Sequence, residues 1–154
     1  IGTGHIATFH SKMLRRCGVP HERGAVFDID PARAETFAAA SGSTVVGSEQ
    51  EVVDNSDIVY ICTWTSEHAR LVDMCIAAGK PFFCEKPLST GLEGANAMAH
   101  AVADSGLTHQ CGLILRRSPS CRSRRNRLRG FTSCSSRGTK SRQSKSGVPL
   151  AAAD

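Results

Sequence analysis

The sequence predicts an α/β fold, a doubly wound parallel sheet, and three features carry that prediction. Short apolar runs of buried-strand length alternate with segments of helical period through residues 1–115. The intervals between runs are long enough for the crossover helices that parallel strands require. Helix start and stop residues punctuate those intervals.

Taken in order, Gly2–Ala7 is a turn, and a helix from His5 to Arg16 follows with Ile6, Phe9, Met13 and Leu14 at helical spacing. Gly24–Asp28 is a short apolar run ending on an acid, hence a buried strand. Asp30 is placed to cap the next helix, and Pro31 has the φ its first position needs. That helix passes through Ala34, Phe37 and Ala38 to a stop at Gly42. Thr44–Val46 is a strand, Glu49–Asn55 a short helix, and Asp57–Cys62 the strongest strand in the chain. Ser66–Ala78 is predicted helical, with Ser66 as cap, Ala69, Val72 and Ile76 on one face, and Gly79 as terminator. Pro81–Cys84 is a strand, Leu92–Ser105 an Ala-rich helix and Thr108–Leu115 a last strand.

In this topology a glycine turn leaves the end of a central first strand, of which only Ile1 is present. With that strand largely missing, the neighbouring strands are expected to lack a shared partner and the chain to be poorly stable. The opening on Ile1 reads as a fragment or an incomplete gene product.

Composition divides the 154 residues, which have room for one ordinary domain. Residues 116–154 hold nine Arg and two Lys against one acid, Asp154, for a net charge of +10. The first 115 residues carry eight basic and thirteen acidic groups, net −5. The Arg/Ser-rich tail has few large apolar residues to offset the entropy of ordering and is expected to be disordered. It reads best as an out-of-frame translation, because the break interrupts a domain where structured sequence belongs. A basic arm for nucleic acid, the less favoured partner, and a plain solvated extension are the alternatives. No run reaches the roughly 18 apolar residues of a membrane span. No secretory leader precedes the turn, so the expected location is cytoplasmic. Seven scattered cysteines lack a C-x-x-C pair and read as free thiols, with no metal site.

Gly2, Gly4 and Ala7 form G-x-G-x-x-A around Thr3, His5 and Ile6. The first glycine permits the tight turn, the second lets a pyrophosphate approach the backbone, and the small third residue allows close helix packing. Asp28 lies 24 residues beyond Gly4 at the end of a strand, where an acid accepts hydrogen bonds from both hydroxyls of an adenosine ribose. Together these predict a Rossmann-like dinucleotide site. Asp28 would repel a 2′-phosphate, which favours NAD. Arg33, nearby in sequence, could accommodate that phosphate, so NADP stays open.

Over residues 1–119 the chain resembles the Gfo/Idh/MocA oxidoreductase family. The matching stretches are Gly2–Ala7 with His10, Asp28–Ala34, Asp57–Thr63, Thr65–His68, Ala78–Pro81 and above all Cys84-Glu-Lys-Pro-Leu88. The resemblance implies hydride transfer between a nicotinamide and a secondary alcohol, typically of a sugar or polyol. It implies that Lys86, within Glu85-Lys86-Pro87, lies near nicotinamide and substrate hydroxyl as the catalytic group. It sets Thr63, Trp64 and His68 along the cofactor. It also implies a second, substrate-binding domain, which is absent here, and permits a homo-oligomer in the complete enzyme. The chain alone is expected to be inactive, and the other histidines offer no defensible catalytic pairing. The competing reading is a non-catalytic nucleotide-binding module whose basic tail contacts nucleic acid or an acidic partner.

Overall fold

Ile1 and Gly2 join two short parallel sheets, and that junction sets the plan of the domain. The structure, a computed structural model, describes residues 1–113. Its elements in chain order are α1 (His5–Arg16), β1 (Ala25–Val26), α2 (Pro31–Ser41), β2 (Thr44–Val45), α3 (Glu49–Asp54) and β3 (Val59–Ile61). They continue with a 3-10 turn (Thr65–Glu67), α4 (His68–Ala77), β4 (Phe82–Cys84), α5 (Leu92–Ser105) and β5 (His109–Cys111). β1 pairs with β2, setting Val26 opposite Val45. β3, β4 and β5 pair in that order, setting Ile61, Cys84 and Cys111 side by side. Every pairing is parallel, as helical crossovers dictate.

Between the sheets, the Ile1 ammonium donates to Tyr60 O at 2.6 Å, and the Cys62 N–H donates to Ile1 O at 2.9 Å. On the other side the Gly2 N–H donates to Phe27 O at 2.9 Å. The first two residues therefore occupy the place of a central strand's last residues. The spatial order β2-β1-(1–2)-β3-β4-β5 is that of a doubly wound Rossmann sheet.

Apolar burial concentrates on β3, β4 and the helix that covers them. α4 packs on both strands and on α5, gathering Val59, Ile61, Leu71, Val72, Cys75, Phe82, Cys84, Met98 and Val102 into one core. Leu71 is fully buried within it. Leu71→Ala is expected to cost about 2–5 kcal/mol, read as a lowered midpoint in thermal or urea unfolding.

Local chemistry accounts for the helix ends. Asp30 accepts hydrogen bonds from the N–H groups of Ala32 and Arg33, Pro31 starts α2, and Gly42 ends it in the left-handed region at φ 77°. Two other expectations are corrected, for Ser66 and for the strand lengths. Ser66 caps no α-helix: it lies in the 3-10 turn, its hydroxyl bonds Glu67, and α4 begins only at His68. On α1 the buried positions are Ala7 and Ser11, one turn apart, whereas Phe9 and Met13 are exposed, because this helix approaches its neighbours through small side chains. Each strand is shorter than its apolar run, since the ladder extends only where a partner is in register. The end of the last expected strand (Ile114, Leu115) and the whole basic tail lie outside the described residues. Among the described residues no helix is long and apolar enough to cross a membrane.

Candidate functional site

The G-x-G turn and the acid that follows β1 meet directly. Gly2 holds φ 79°, and a Cβ there would lie 2.8 Å from both the carbonyl carbon and the oxygen of Cys62. Only glycine fits a turn pressed this closely against the end of β3. Thr3, buried next to it, donates to Asp28 Oδ2 twice, from its N–H at 2.7 Å and from its hydroxyl at 2.9 Å. The Asp30 N–H donates to Oδ1 at 3.0 Å. A carboxylate offers about four acceptor directions, so roughly one remains on Asp28 for a ligand.

Burial works to raise the Asp28 pKa. The hydrogen bonds from Asp30 and Thr3 and the charge of Arg33 outweigh it, and the carboxyl is held below its ordinary value. It therefore stays ionised at neutral pH.

Gly4 precedes α1, and a Cβ there would meet nothing within 4 Å. No side chain caps the first turn of α1, which leaves its N–H groups and positive dipole end facing open space. That is the arrangement an anion needs. A cleft of about 510 Å³ opens at this point. Gly2, Gly4, His5, Ile6, Asp28, Arg33, Thr63 and Trp64 line it, so eight of the residues singled out from sequence converge. Trp64 is 76% exposed on its lip. Thr3 and Ala7 are buried behind the lining, supporting the acid and the helix contact.

Other lining residues were not singled out as site residues in the sequence. Ile29 is exposed beside Asp28, and Glu49, Glu67 and Arg70 form an ion-pair cluster in the wall. Arg70 binds both carboxylate oxygens of Glu49 at 2.8 Å and reaches Glu67 at 3.1 Å. The i,i+3 spacing of Glu67 and Arg70 was available as a clue, whereas Glu49 comes from a different helix. Arg33 is paired with Asp30 at 3.2 Å. Cys62 also lines the cleft, but burial pushes its thiol up to about 11, leaving it neutral and unreactive at pH 7.

A model of the Gfo/Idh/MocA oxidoreductase family, NAD-binding Rossmann fold, matches residues 1–113. The chain belongs to this family. It is 42% identical over 108 residues to inositol 2-dehydrogenase of Cereibacter sphaeroides, covering 69% of this chain and 32% of that protein. It is 37% identical over 108 residues to inositol 2-dehydrogenase 3 of Saccharopolyspora erythraea, with the same coverage of 69% and 32%. Among solved structures it resembles an NAD-binding oxidoreductase from Klebsiella pneumoniae, with TM-score 0.70, 28% identity, and coverage of 84% of this chain and 37% of that one. The chain thus spans about a third of the length of the curated relatives it matches.

In this Gfo/Idh/MocA domain, Glu85-Lys86-Pro87 follows β4 at the same edge of the sheet as the glycine turn, with a cis Lys86–Pro87 peptide. The structure sets these three residues outside the cleft lining. His68 is not along the cleft either. It is 1% exposed, and its ring nitrogens face Pro87 O at 2.9 Å and Thr63 O at 3.3 Å. His68 therefore stands between carbonyls of the loops after β3 and β4. Sequence reasoning found no partner for His10, yet its Nε2 lies 2.6 Å from Glu85 Oε1. Among the described residues no group of three or more His, Cys, Asp or Glu side chains is placed to hold a metal.

Proposed function

We propose that the domain binds NAD(H) in preference to NADP(H), and that it serves hydride transfer at a secondary alcohol of a polyol. The carrying observation is the Thr3–Asp28 junction beside an open Gly4: an ionised acceptor for ribose and an uncapped helix end for pyrophosphate, on one cleft. Gly2, Gly4, His5 and Ile6 would hold the diphosphate, Asp28 one ribose hydroxyl, and Ile29, Thr63 and Trp64 the flanks of the cofactor. The polyol class rests on the similarity to the two inositol 2-dehydrogenases. The nicotinamide supplies hydride acceptance and donation. Lys86 Nζ would orient the substrate hydroxyl and stabilise the negative charge that grows on its oxygen. The free thiols Cys62, Cys75 and Cys84 suit a cytoplasmic, reducing setting.

The preference for NAD follows from the charges around the cleft. Both guanidiniums that could meet a 2′-phosphate are already held by carboxylates, Arg33 by Asp30 and Arg70 by Glu49 and Glu67. A phosphate entering beside Asp28 would meet like charge instead. Trp64 is the chain's one tryptophan and stands on the cleft lip, so its fluorescence reports occupancy. Titration is expected to give saturable quenching with NADH and an affinity at least about tenfold weaker with NADPH. Equal affinities would remove the NAD preference, and an unsaturable signal with both would remove the binding reading itself.

A further inference from the structure

Lys86 is exposed, and among the described residues its ammonium has no hydrogen bond or ion pair. With no partner at the tip of the side chain, the backbone sets the point and vector from which it starts. The backbone is held by the residue before it. Glu85 is 5% exposed, and its Oε2 accepts the Lys86 N–H at 2.9 Å while Oε1 meets His10 Nε2 at 2.6 Å. The His10 ring is boxed in turn by Phe83, centroid to centroid 4.8 Å, and by Tyr60 at 5.9 Å. On the other side Gly112 closes the space, since a Cβ there would stand 2.8 Å from Glu85 Oε2. A carboxylate taken this far out of water needs partners for both oxygens, and here the two partners are a helix histidine and the Lys86 amide.

We propose that His10 and Glu85 are a part-buried positioning pair that aims Lys86, with Gly112 as the space that lets Glu85 face it. The inference rests on the reading of Lys86 as the group that meets the substrate hydroxyl. The pair touches neither the cofactor cleft nor the reacting atoms and acts only through the Lys86 backbone. Tethering α1 to β4 is the plainer role for the same contact, and the two roles separate by experiment. A tether, when cut, loosens the whole contact region. A positioning pair, when cut, loosens Lys86 first and is restored by any side chain that returns an N–H to the same point.

Amide hydrogen exchange on the full 154-residue chain, without cofactor, makes that separation. His10→Asn, whose donor stops short of Glu85, is expected to speed exchange at the Lys86 amide about tenfold, with the α1 amides of Met13 and Leu14 unchanged. His10→Gln places its amide nitrogen near the position of Nε2 and is expected to return exchange to within about twofold of the parent. Gly112→Ala, which crowds the carboxylate from the opposite side, is expected to match His10→Asn and stands in for it should that variant not fold. The proposal is overturned if Lys86 exchange is unmoved in these variants, if it rises only together with α1, or if His10→Gln gives no rescue. The measurement needs no bound nucleotide, so a failed NADH titration would leave its outcome standing on its own.

Discussion

Gly2→Ala is expected to abolish NADH binding and to destabilise the domain by about 2–5 kcal/mol, whereas Gly4→Ala abolishes binding with little loss of stability. The first figure combines two costs. A non-glycine residue at φ 79° costs about 1 kcal/mol or more. The added methyl would also stand 2.8 Å from the Cys62 carbonyl carbon and oxygen, backbone atoms that cannot swing aside. Overpacking of that kind adds about 1–3 kcal/mol. Relief would require the turn to move, breaking the Gly2–Phe27 bond and the Ile1 bonds that connect the two sheets. At Gly4 the backbone is extended, φ −69° and ψ −168°, and a Cβ there enters open space. The methyl disturbs no protein contact but stands where a pyrophosphate must approach the first turn of α1. Trp64 quenching and thermal unfolding on both variants make the comparison. Undiminished NADH affinity in Gly4→Ala would place the diphosphate elsewhere.

Those two glycines also show why so much of the site was legible in the sequence. A turn that must admit both a strand end and an anion leaves few residue choices, and Gly2, Gly4 and Ala7 record them at fixed spacing. The caps of α2 were equally readable, because Asp30, Pro31 and Gly42 each answer a local backbone requirement. Periodicity was weaker evidence. It put Ile6, Phe9, Met13 and Leu14 at helical spacing on α1, but a helix that packs closely does so through small residues, and burial fell to Ala7 and Ser11. Least visible were the long-range polar pairs. His10 and Glu85 are 75 residues apart, and their meeting follows from α1 crossing the end of β4, which no local pattern states. The one clue was an acid closing an apolar strand, since a carboxylate in that position must find a partner inside the fold. The Glu49–Arg70 pair was hidden for the same reason: two helices bring it together, and neither helix needs it in order to form.

Asp28→Asn is expected to weaken NADH binding by about ten- to a hundredfold and to erase most of the discrimination against NADPH. The substitution keeps the shape but replaces one acceptor oxygen with a donor. Asp28 now serves three donors at once, Thr3 N–H and hydroxyl on Oδ2 and Asp30 N–H on Oδ1. Asparagine must turn its NH2 toward one of these groups, leaving a partly buried donor opposed by another, and it removes the charge that disfavours a 2′-phosphate. Affinity for NADPH should therefore fall less than affinity for NADH, or rise. The pH dependence separates charge from shape. Burial tends to raise the Asp28 carboxyl, but its hydrogen bonds and Arg33 bring the folded-state pKa below the ordinary value of 3.8. A carboxylate depressed in the folded state contributes fully above its unfolded pKa, and the contribution is lost as pH falls through the lower, folded value. NADH affinity of the parent chain should then be level from about pH 7 to about pH 5 and fall only in stronger acid, with the Asn variant lacking that acid-side fall. A parent profile that drops between about pH 7 and pH 5 would assign ribose recognition to a group other than Asp28.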